Sequence, residues 1–207
     1  MGVNVRKAEA KDAPFLAQMI LQSSRAGKSD GIFDYIFNDL SDSEILSRIE
    51  ALTKTDAKNH CHYTNFLIGE SNGVDVGTLC SYEPRIATKK AFFDALKEVG
   101  CDEEIEERLE FMNECDFGLN NRTLMFDFMV ELEGYIDVGA LKALMQKSLL
   151  TARLKGYRIA QTIVETGSLE TMMFYEKLGF KKVKEKSCET YKEIFGRHGL
   201  TLLSIEF

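Results

Sequence analysis

One stretch, from Thr123 to Phe180, constrains the fold of this 207-residue chain more than any other. It begins with Thr123–Val130, which is apolar on both faces apart from Asp127, as in a strand that is covered on both sides. A glycine-containing turn leads to an amphipathic helix that ends at Gly156, and the β-branched segment Tyr157–Val164 follows it. We therefore predict a parallel strand–helix–strand unit, whose ligand crevice lies at the carboxyl ends of the strands.

The segment after this unit predicts a further helix, from Ser168 to about Leu178, which Gly179 ends. Three polar side chains spaced i, i+3, i+7 share one face of it: Ser168, Thr171 and Tyr175. The apolar side chains on a different face are expected to lie in the core: Leu169, Met172 and Met173.

Residues 168–180 read Ser-Leu-Glu-Thr-Met-Met-Phe-Tyr-Glu-Lys-Leu-Gly-Phe, which resembles the N-x-x-A-x-x-L-Y-E-K-x-G-F motif of the GNAT N-acetyltransferase superfamily. With the flanking hairpins, the resemblance covers most of the chain. It implies an α/β domain with a mixed sheet and the acyl-CoA N-acyltransferase fold. It also implies transfer of an acetyl group from acetyl-CoA to a primary amine of a small molecule or peptide, by direct attack. The alternative is a GNAT-fold acyl-CoA-binding or regulatory module without turnover.

The loop before the central helix matches the family's R/Q-x-x-G-x-G/A motif only at Gly139. With Leu144-Met145 placed on the family's Leu-Leu or Leu-Met, the other positions hold Ile136, Asp137 and Leu141. Backbone N–H groups at a helix N-terminus cradle a diphosphate whatever the side chains are. The resemblance therefore assigns cofactor binding to the main chain of Val138, Gly139, Ala140 and Leu141. Alternatively, Asp137 N-caps the helix, and its charge and the bulk of Leu141 weaken binding.

The resemblance assigns three further cofactor contacts. The main chain of Met129 and Val130 would pair with the pantetheine arm of acetyl-CoA as an additional strand. Ser168 stands where the family has a cofactor-contacting Asn. Tyr175 matches the family's acid, because a phenol with an ordinary pKa near 10 stays protonated at neutral pH and can donate to the leaving thiolate. The structural alternative for Tyr175 is a partly buried core tyrosine.

Asp127 is the candidate general base, since burial can raise the pKa of a carboxyl group toward neutrality. The competing interpretation is a carboxylate paired for structural reasons. The face of the strand shared with Val130 carries only inert side chains: Leu124, Phe126 and Phe128.

Composition favours a single domain, residues 1–207, in which residues 84–121 form a helical insertion before the central strand. The net charge of −7 disfavours a nucleic-acid partner, and no apolar run reaches the roughly 18 residues of a membrane span. Five cysteines without a CxxC pair, and no signal peptide, predict a cytoplasmic protein with reduced thiols and no metal. The resemblance also implies that the protein forms a homodimer, because dimers are frequent in the family.

Before the central unit, the patterns predict a strand at Asn4–Ala8, a helix to about Ser24, a capping box at Ser41–Glu44 and a hairpin around Ser71-Asn72-Gly73. The apolar segment Gly27–Asn38 is either a short packed helix or an aromatic wall for the acceptor.

A second helix of the insertion is predicted at Asp102–Glu114, which holds seven acidic residues and one arginine. Its charges form either a solvated face or an acidic rim that attracts a cationic amine. In the next strand, alternating lysines are predicted to share one side, as a solvated face or a contact with a cofactor phosphate: Lys182, Lys184 and Lys186.

Two further alternatives remain at this point. Cys61 lies between His60 and His62. We interpret this segment as a polar loop. The alternatives are a metal site and a thiol nucleophile with a histidine base. The whole chain could also be an unrelated α/β module that binds no coenzyme A.

Overall fold

The computed structural model describes residues 2–119, 122–135 and 139–207. Seven strands form one sheet in the order β1-β2-β3-β4-β5-β7-β6. The pair β4 and β5 is parallel and the other neighbours are antiparallel, so the predicted mixed α/β sheet is confirmed. The strands are β1 Asn4–Lys7, β2 Phe66–Ser71, β3 Val74–Tyr82, β4 Leu124–Glu131, β5 Ile159–Glu165, β6 Lys181–Ser187 and β7 Gly199–Glu206.

In the described ranges, eight α-helices connect these strands, with short 3-10 turns at Ala10–Asp12, Tyr63–Asn65 and Glu110–Asn113. The described helices include none that is both long and apolar enough to cross a bilayer. Their bounds are α1 Ala13–Arg25, α2 Ile32–Ile36, α3 Asp42–Leu52, α4 Lys89–Glu98, α5 Ile105–Arg108, α6 Ala140–Leu154, α7 Leu169–Lys177 and α8 Glu189–Phe195.

The hairpin β2–β3 turns at the predicted position. Asn72 and Gly73 have φ values of 54° and 79°, the left-handed conformations that a two-residue hairpin turn requires at both central residues. Asn tolerates this conformation better than most residues and Gly adopts it freely, so the local sequence is sufficient to place the turn.

The sheet separates two clusters of buried side chains. The first core contains residues from α1 to α5 and from α8, such as Leu16, Ile49 and Tyr191. The second core lies on the side of α6 and α7 and includes Leu144 and Phe180. Strand β4 contributes to both cores, which places it at the centre of the structure, as its continuous apolar sequence predicts.

Residues 84–119 contain the helices α4 and α5, but the helix predicted at Asp102–Glu114 is broken. Helix α5 covers only four residues, and a 3-10 turn follows it after Leu109. Ile105, Leu109 and Phe111 are all buried, and residues spaced i, i+4, i+6 cannot all face one side of a regular α-helix. The tighter turn brings Phe111 into the first core, which the acidic composition did not reveal.

The acidic residues between Asp102 and Glu114 are partly neutralised by nearby basic side chains. Lys97 on α4 lies 3.0 Å from the carboxylates of both Glu103 and Glu106, and Arg108 lies 3.3 Å from Asp102. These pairs are compatible with the solvated-face interpretation.

Two helices of the carboxyl-terminal part differ from the sequence prediction. Leu169 and Met173 on α7 are 70% and 47% exposed, because the Tyr175 face of that helix is the one that packs against the sheet. Helix α8 was not predicted from the sequence. Its aromatic pair Tyr191 and Phe195, spaced i, i+4 with ring centroids 4.6 Å apart, was the overlooked signal.

The three lysines of β6 do not alternate regularly. The register with β7 shifts between Lys182 and Lys184, so the strand carries a bulge at this point. All three belong to a strand that is almost entirely solvent-exposed.

Candidate functional site

The parallel strands β4 and β5 separate after their first two register positions. Only Leu124–Met125 pairs with Ala160–Gln161, and no later residue of these two fully described strands pairs across the gap. On their outer edges, β4 stays paired with β3 as far as Glu131, and β5 stays paired with β7 as far as Glu165. The facing edges are therefore free of ladder hydrogen bonds over their carboxyl halves, and an extended ligand can pair with their backbone groups.

Strand β4 carries a bulge at Phe128 beside this gap. Thr78 pairs with Val130 and Cys80 pairs with Asp127, so β4 contains one residue more than β3 over this interval. Phe128 has a φ of 45°, which is uncommon for a bulky residue and costs of order 1–3 kcal/mol. The side chain of Thr78 donates a hydrogen bond of 2.9 Å to the Phe128 carbonyl and helps to hold this conformation.

The bulge changes which side chains share a face. Phe128 belongs to the first core, whereas Leu124 and Phe126 belong to the second. The prediction that these three share the face of Val130 was therefore wrong, because the extra residue resets the alternation of the strand. Phe128 stacks on Phe66 and on His60, with ring centroids 5.9 Å away in both cases.

Asp127 is a half-buried residue in the middle of the sheet. Burial raises its pKa to about 6, and the hydrogen bond of 2.8 Å that the Phe128 N–H donates to Oδ1 opposes this rise. The pKa of the candidate base thus lies close to neutrality, where a general base is most effective. Its catalytic role stays a prediction.

Tyr175 is buried in the second core, with 6% of its surface exposed. Its ring makes edge-to-face contacts with Phe174 and Phe180, at centroid distances of 5.3 and 5.2 Å. Burial raises the pKa of its hydroxyl well above the usual range, against a hydrogen bond with the Thr162 side chain of β5 that lowers it. The phenol is therefore fully protonated at neutral pH, as an acid must be before it donates.

The structure brings Asp127 and Tyr175 into one neighbourhood from different elements. The charge of Asp127 contributes to the raised pKa of Tyr175, so the two groups interact electrostatically. Asp127 lies on β4 and Thr162, the partner of Tyr175, lies on β5. The gap between these strands is thus flanked by a carboxyl group and a phenol whose pKa values are both shifted upward.

The amino terminus of α6 lies next to the end of β4. Gly139 is the N-cap residue with a φ of 82°, and, its chain neighbours aside, no described atom lies within 4 Å of the position that a Cβ would take. Ala140 is fully buried against the sheet and Leu141 is half-buried. Of the other loop residues discussed above, Ile136, Asp137 and Val138 lie outside the described residues.

One amide of this helix terminus already binds an anion. The Leu141 N–H donates a hydrogen bond of 3.3 Å to a side-chain oxygen of Glu131, the last residue of β4. The expectation that this amide is free was wrong, because the positive end of a helix attracts any carboxylate within reach. The contact places a carboxylate oxygen on the first turn of α6.

The remaining predicted cofactor residues border the gap or α7. Met129 is buried in the second core, and Val130 pairs with Thr78 on the outer edge of β4. The Ser168 hydroxyl donates a hydrogen bond of 2.8 Å to the hydroxyl of Thr171. That bond leaves Ser168 with acceptor capacity only, which is less than the Asn of the family provides.

The histidines around Cys61 face different surroundings. The ring of His60 packs against Phe92 and Phe128, and burial lowers its pKa to about 4. His62 contacts Lys58 at 3.0 Å and the Thr64 hydroxyl at 2.8 Å. Across residues 2–119, 122–135 and 139–207, no three His, Cys, Asp or Glu side chains are grouped in a way that could hold a metal ion.

Comparison with solved structures gives matches over the whole chain. An N-acetyltransferase from Staphylococcus aureus Mu50 superposes with a TM-score of 0.71 at 15% sequence identity, covering 98% of this chain and 100% of its own. An acetyltransferase of the GNAT family from Streptococcus pneumoniae gives 0.55 at 18% identity, covering 100% and 99%. The paia N-acetyltransferase from Thermoplasma acidophilum, in complex with coenzyme A, gives 0.56 at 11% identity and full coverage of both chains. No family model and no curated protein matches the sequence.

Proposed function

We propose, from the premise that this chain has the fold of the GNAT N-acetyltransferases, that it transfers an acetyl group from acetyl-CoA to a primary amine of a small molecule or peptide. The observation that carries the proposal is the gap between β4 and β5, with Asp127 and Tyr175 beside it. A parallel pair that opens toward its carboxyl ends offers backbone groups to an extended ligand, and the two side chains supply a proton acceptor and a proton donor.

The residues around the gap fit acetyl-CoA as a cosubstrate. The free inner edge of β4 near Met129 and Val130 would pair with the pantetheine arm, while the main chain of Gly139, Ala140 and Leu141 would hold the diphosphate. The open space at Gly139 permits close approach of a ligand to the backbone. The hydrogen bond between Glu131 and Leu141 supports this fit, because it places an anionic oxygen on the same helix terminus.

Direct transfer requires two proton movements. The amine nitrogen forms a bond with the thioester carbonyl carbon, the bond from that carbon to sulfur breaks, and the acetyl group ends on nitrogen. Asp127, with a pKa of about 6, is mostly ionised at neutral pH and would take the proton that the amine loses. Tyr175 would give its proton to the departing thiolate, and its raised pKa keeps that proton in place until then.

A second candidate function is a GNAT-fold module that binds acyl-CoA without turnover. Two observations favour it. Glu131 competes for the helix terminus that the diphosphate would occupy, and the Ser168 hydroxyl is already bonded to Thr171. Both features weaken cofactor binding relative to a site with free donors, since each ligand contact must replace an internal one.

Thermal unfolding with and without acetyl-CoA tests the proposal first. A ligand present at a hundred times its Kd adds about 2.7 kcal/mol to the free energy of unfolding. We expect such a shift, together with release of free thiol when a panel of primary amines is added. No shift at millimolar acetyl-CoA would reject both candidate functions. A shift without thiol release for any amine would select the module without turnover.

We further propose that residues 1–207 act as one domain, with residues 84–121 as an insertion, and that the protein works in the cytoplasm as a homodimer. The unpaired thiols support a reducing compartment, because all five cysteines are free. Light scattering on a size-exclusion column tests the dimer: a mass near 23.5 kDa would reject it.

A further inference from the structure

The ammonium group of Lys28 is enclosed by other groups of the protein. Its Nζ donates a hydrogen bond of 2.6 Å to Glu165 Oε1 and one of 3.3 Å to the carbonyl oxygen of Phe195. The same nitrogen lies 5.7 Å from the centroid of the Phe195 ring. A carboxylate, a carbonyl oxygen and an aromatic face together are the surroundings that an alkylammonium group prefers. We call Glu165, Tyr191 and Phe195 the ammonium cage.

The cage is organised around Glu165, whose side chain is 12% exposed. The Tyr191 hydroxyl donates a hydrogen bond of 3.0 Å to the same oxygen that binds Lys28. Arg197 lies 3.7 Å from the other oxygen, too far for a hydrogen bond, and both of these atoms are buried without a hydrogen-bond partner in the described part of the chain. If the Lys28 ammonium group leaves, Arg197 therefore still lies next to Glu165 as a second cation.

The cage lies at the mouth of the candidate site. Glu165 is the last residue of β5, at the end where β4 and β5 diverge, and its neighbour Ile163 on the same face packs on the first core. Thr162, which contacts Tyr175, is three residues earlier on β5, about 10 Å along the strand and on its opposite face. An ammonium group in the cage is thus too far from Tyr175 to be the reacting nitrogen.

Lys28 reaches the cage from a segment that is accessible to solvent. It lies in the connection between α1 and α2, next to Gly27, which has a φ of 78°. A surface groove of about 320 Å³ reaches Lys28 from the outside and is lined also by Gln22 and Arg25. The side chain of Lys28 therefore separates an open groove from the buried carboxylate of Glu165.

We propose that the ammonium cage recognises a second, non-reacting ammonium group of the acceptor, and that the Lys28 ammonium is its displaceable occupant. This assignment to the acceptor rests on the acetyl transfer proposed above. The substrate class is then a diamine or polyamine whose nitrogens are about 10 Å apart when extended, since one nitrogen stays in the cage while the other reaches the gap between β4 and β5. The exchange replaces one ammonium by another and leaves the charge of the cage unchanged.

Chemical rescue tests the cage without any cofactor. Lys28→Met removes the ammonium group and keeps most of the stem, so we expect a lower Tm than in the wild type. Propylammonium chloride should raise the Tm of this variant, and propanol or sodium chloride at equal ionic strength should not. The double variant Lys28→Met/Glu165→Gln should show no rescue. Lys90→Met, which removes the exposed partner of Asp94 on α4, is the matched control and should show none either.

The rescue experiment has a clear negative outcome. If Lys28→Met is folded and propylammonium raises its Tm no more than that of Lys90→Met, the cage is not an ammonium site and Lys28 is a structural ion-pair partner only. Lys28→Gln serves as the second variant if Lys28→Met does not fold, with the same criterion.

Steady-state kinetics with different amines test whether the ammonium cage recognises the acceptor. Along a series from diaminopropane to diaminooctane, we expect the KM to fall with length and to be at least about tenfold below that of the matched monoamine, the effect of one charged hydrogen bond. Glu165→Gln should abolish this difference. Equal KM values for diamines and monoamines in the wild type would overturn the assignment. If no amine releases thiol, the acetyl transfer itself fails, while the rescue experiment still decides whether the cage binds ammonium groups.

Discussion

The two parts of the chain on either side of residues 136–138 differ in how thoroughly they are packed. Residues 2–135 contain the buried phenylalanines Phe33, Phe66 and Phe126, each at most 1% exposed. Among the described residues, five of the seven large apolar side chains that are exposed lie after residue 139: Leu150, Leu154, Leu169, Met173 and Val183. Strand β6 is exposed along nearly its whole length, whereas β2 and β3 are largely buried.

This difference matters because the candidate site joins the two parts. Asp127 belongs to the densely packed amino-terminal part, and Tyr175 belongs to the more open carboxyl-terminal part. Only two register positions connect β4 to β5. The site therefore combines a firmly held carboxyl group with a phenol on a part that can shift at lower cost, which suits a gap that must admit a ligand.

The largest effect is expected at Phe66. Its ring is 1% exposed and stacks on Phe128 at the bulge, so Phe66→Ala leaves a cavity and should lower the free energy of unfolding by about 3–5 kcal/mol. Val183→Ala on β6, at a side chain 57% exposed, should cost less than about 0.5 kcal/mol. Urea unfolding measures both changes. Similar losses in the two variants would contradict the difference in packing.

Tyr175→Phe should lower kcat by about a hundredfold, because it removes the proposed proton donor and keeps the ring packing. The affinity for acetyl-CoA should change little. Tyr157→Phe, in the same part of the chain, serves as the control and should leave kcat nearly unchanged. The measurement is thiol release under saturating substrate. An unchanged kcat in Tyr175→Phe would assign this phenol to the core alone.

Asp127→Asn distinguishes the effect of the Asp127 charge on stability from its effect on catalysis. The folded pKa of about 6 lies above the ordinary value of 3.8, so the stability contributed by the protonated acid is complete below about pH 4 and is lost as pH rises through about 6. Asp127→Asn should therefore be more stable than the wild type by about 1–3 kcal/mol at pH 8, with little difference at pH 4.

The matching activity profile is the second readout for Asp127. In the wild type, kcat/KM should fall as the pH is lowered through about 6, because the base becomes protonated. Asp127→Asn should be less active and lack this dependence. Equal stability differences at pH 4 and pH 8 would show that the carboxyl group is not buried as a titrating acid.

The smallest effect is expected at the junction between the two parts. Glu131→Gln removes the charge that Glu131 places on the Leu141 amide, so acetyl-CoA should bind two- to fivefold more tightly, corresponding to about 0.3–1 kcal/mol. Glu133→Gln, an exposed neighbour in the same loop, is the control and should not alter the Kd. Titration calorimetry distinguishes them. If Glu131→Gln binds acetyl-CoA no more tightly than the wild type, Glu131 does not compete with the cofactor for the Leu141 amide.

Local sequence was sufficient for elements whose causes are local. The turn at Asn72-Gly73 needs only two residues that accept positive φ, and the capping box appears as the 2.9 Å hydrogen bond from Ser41 N to Glu44. The motif around Tyr175 predicted the fold.

The features that sequence did not reveal depend on partners distant in the chain. The bulge at Phe128 follows from the register with β3, and counting alternate residues along β4 cannot detect an added one. Lys28 and Glu165 are separated by 137 positions, so the local sequence around either residue does not predict their contact. The capture of the Leu141 amide by Glu131 likewise requires the geometry of the strand end relative to α6.

The position of β7 between β5 and β6 has a consequence for how the protein forms as it leaves the ribosome. β7 is synthesised after both of its neighbours, so β5 and β6 emerge without the strand that pairs with each of them. Strands β1 to β4 pair only among themselves until β5 appears and can assemble earlier. Nascent chains that lack residues 199–206 should therefore expose β6 without a partner and β5 with only its two register positions on β4, while their first four strands are already in register.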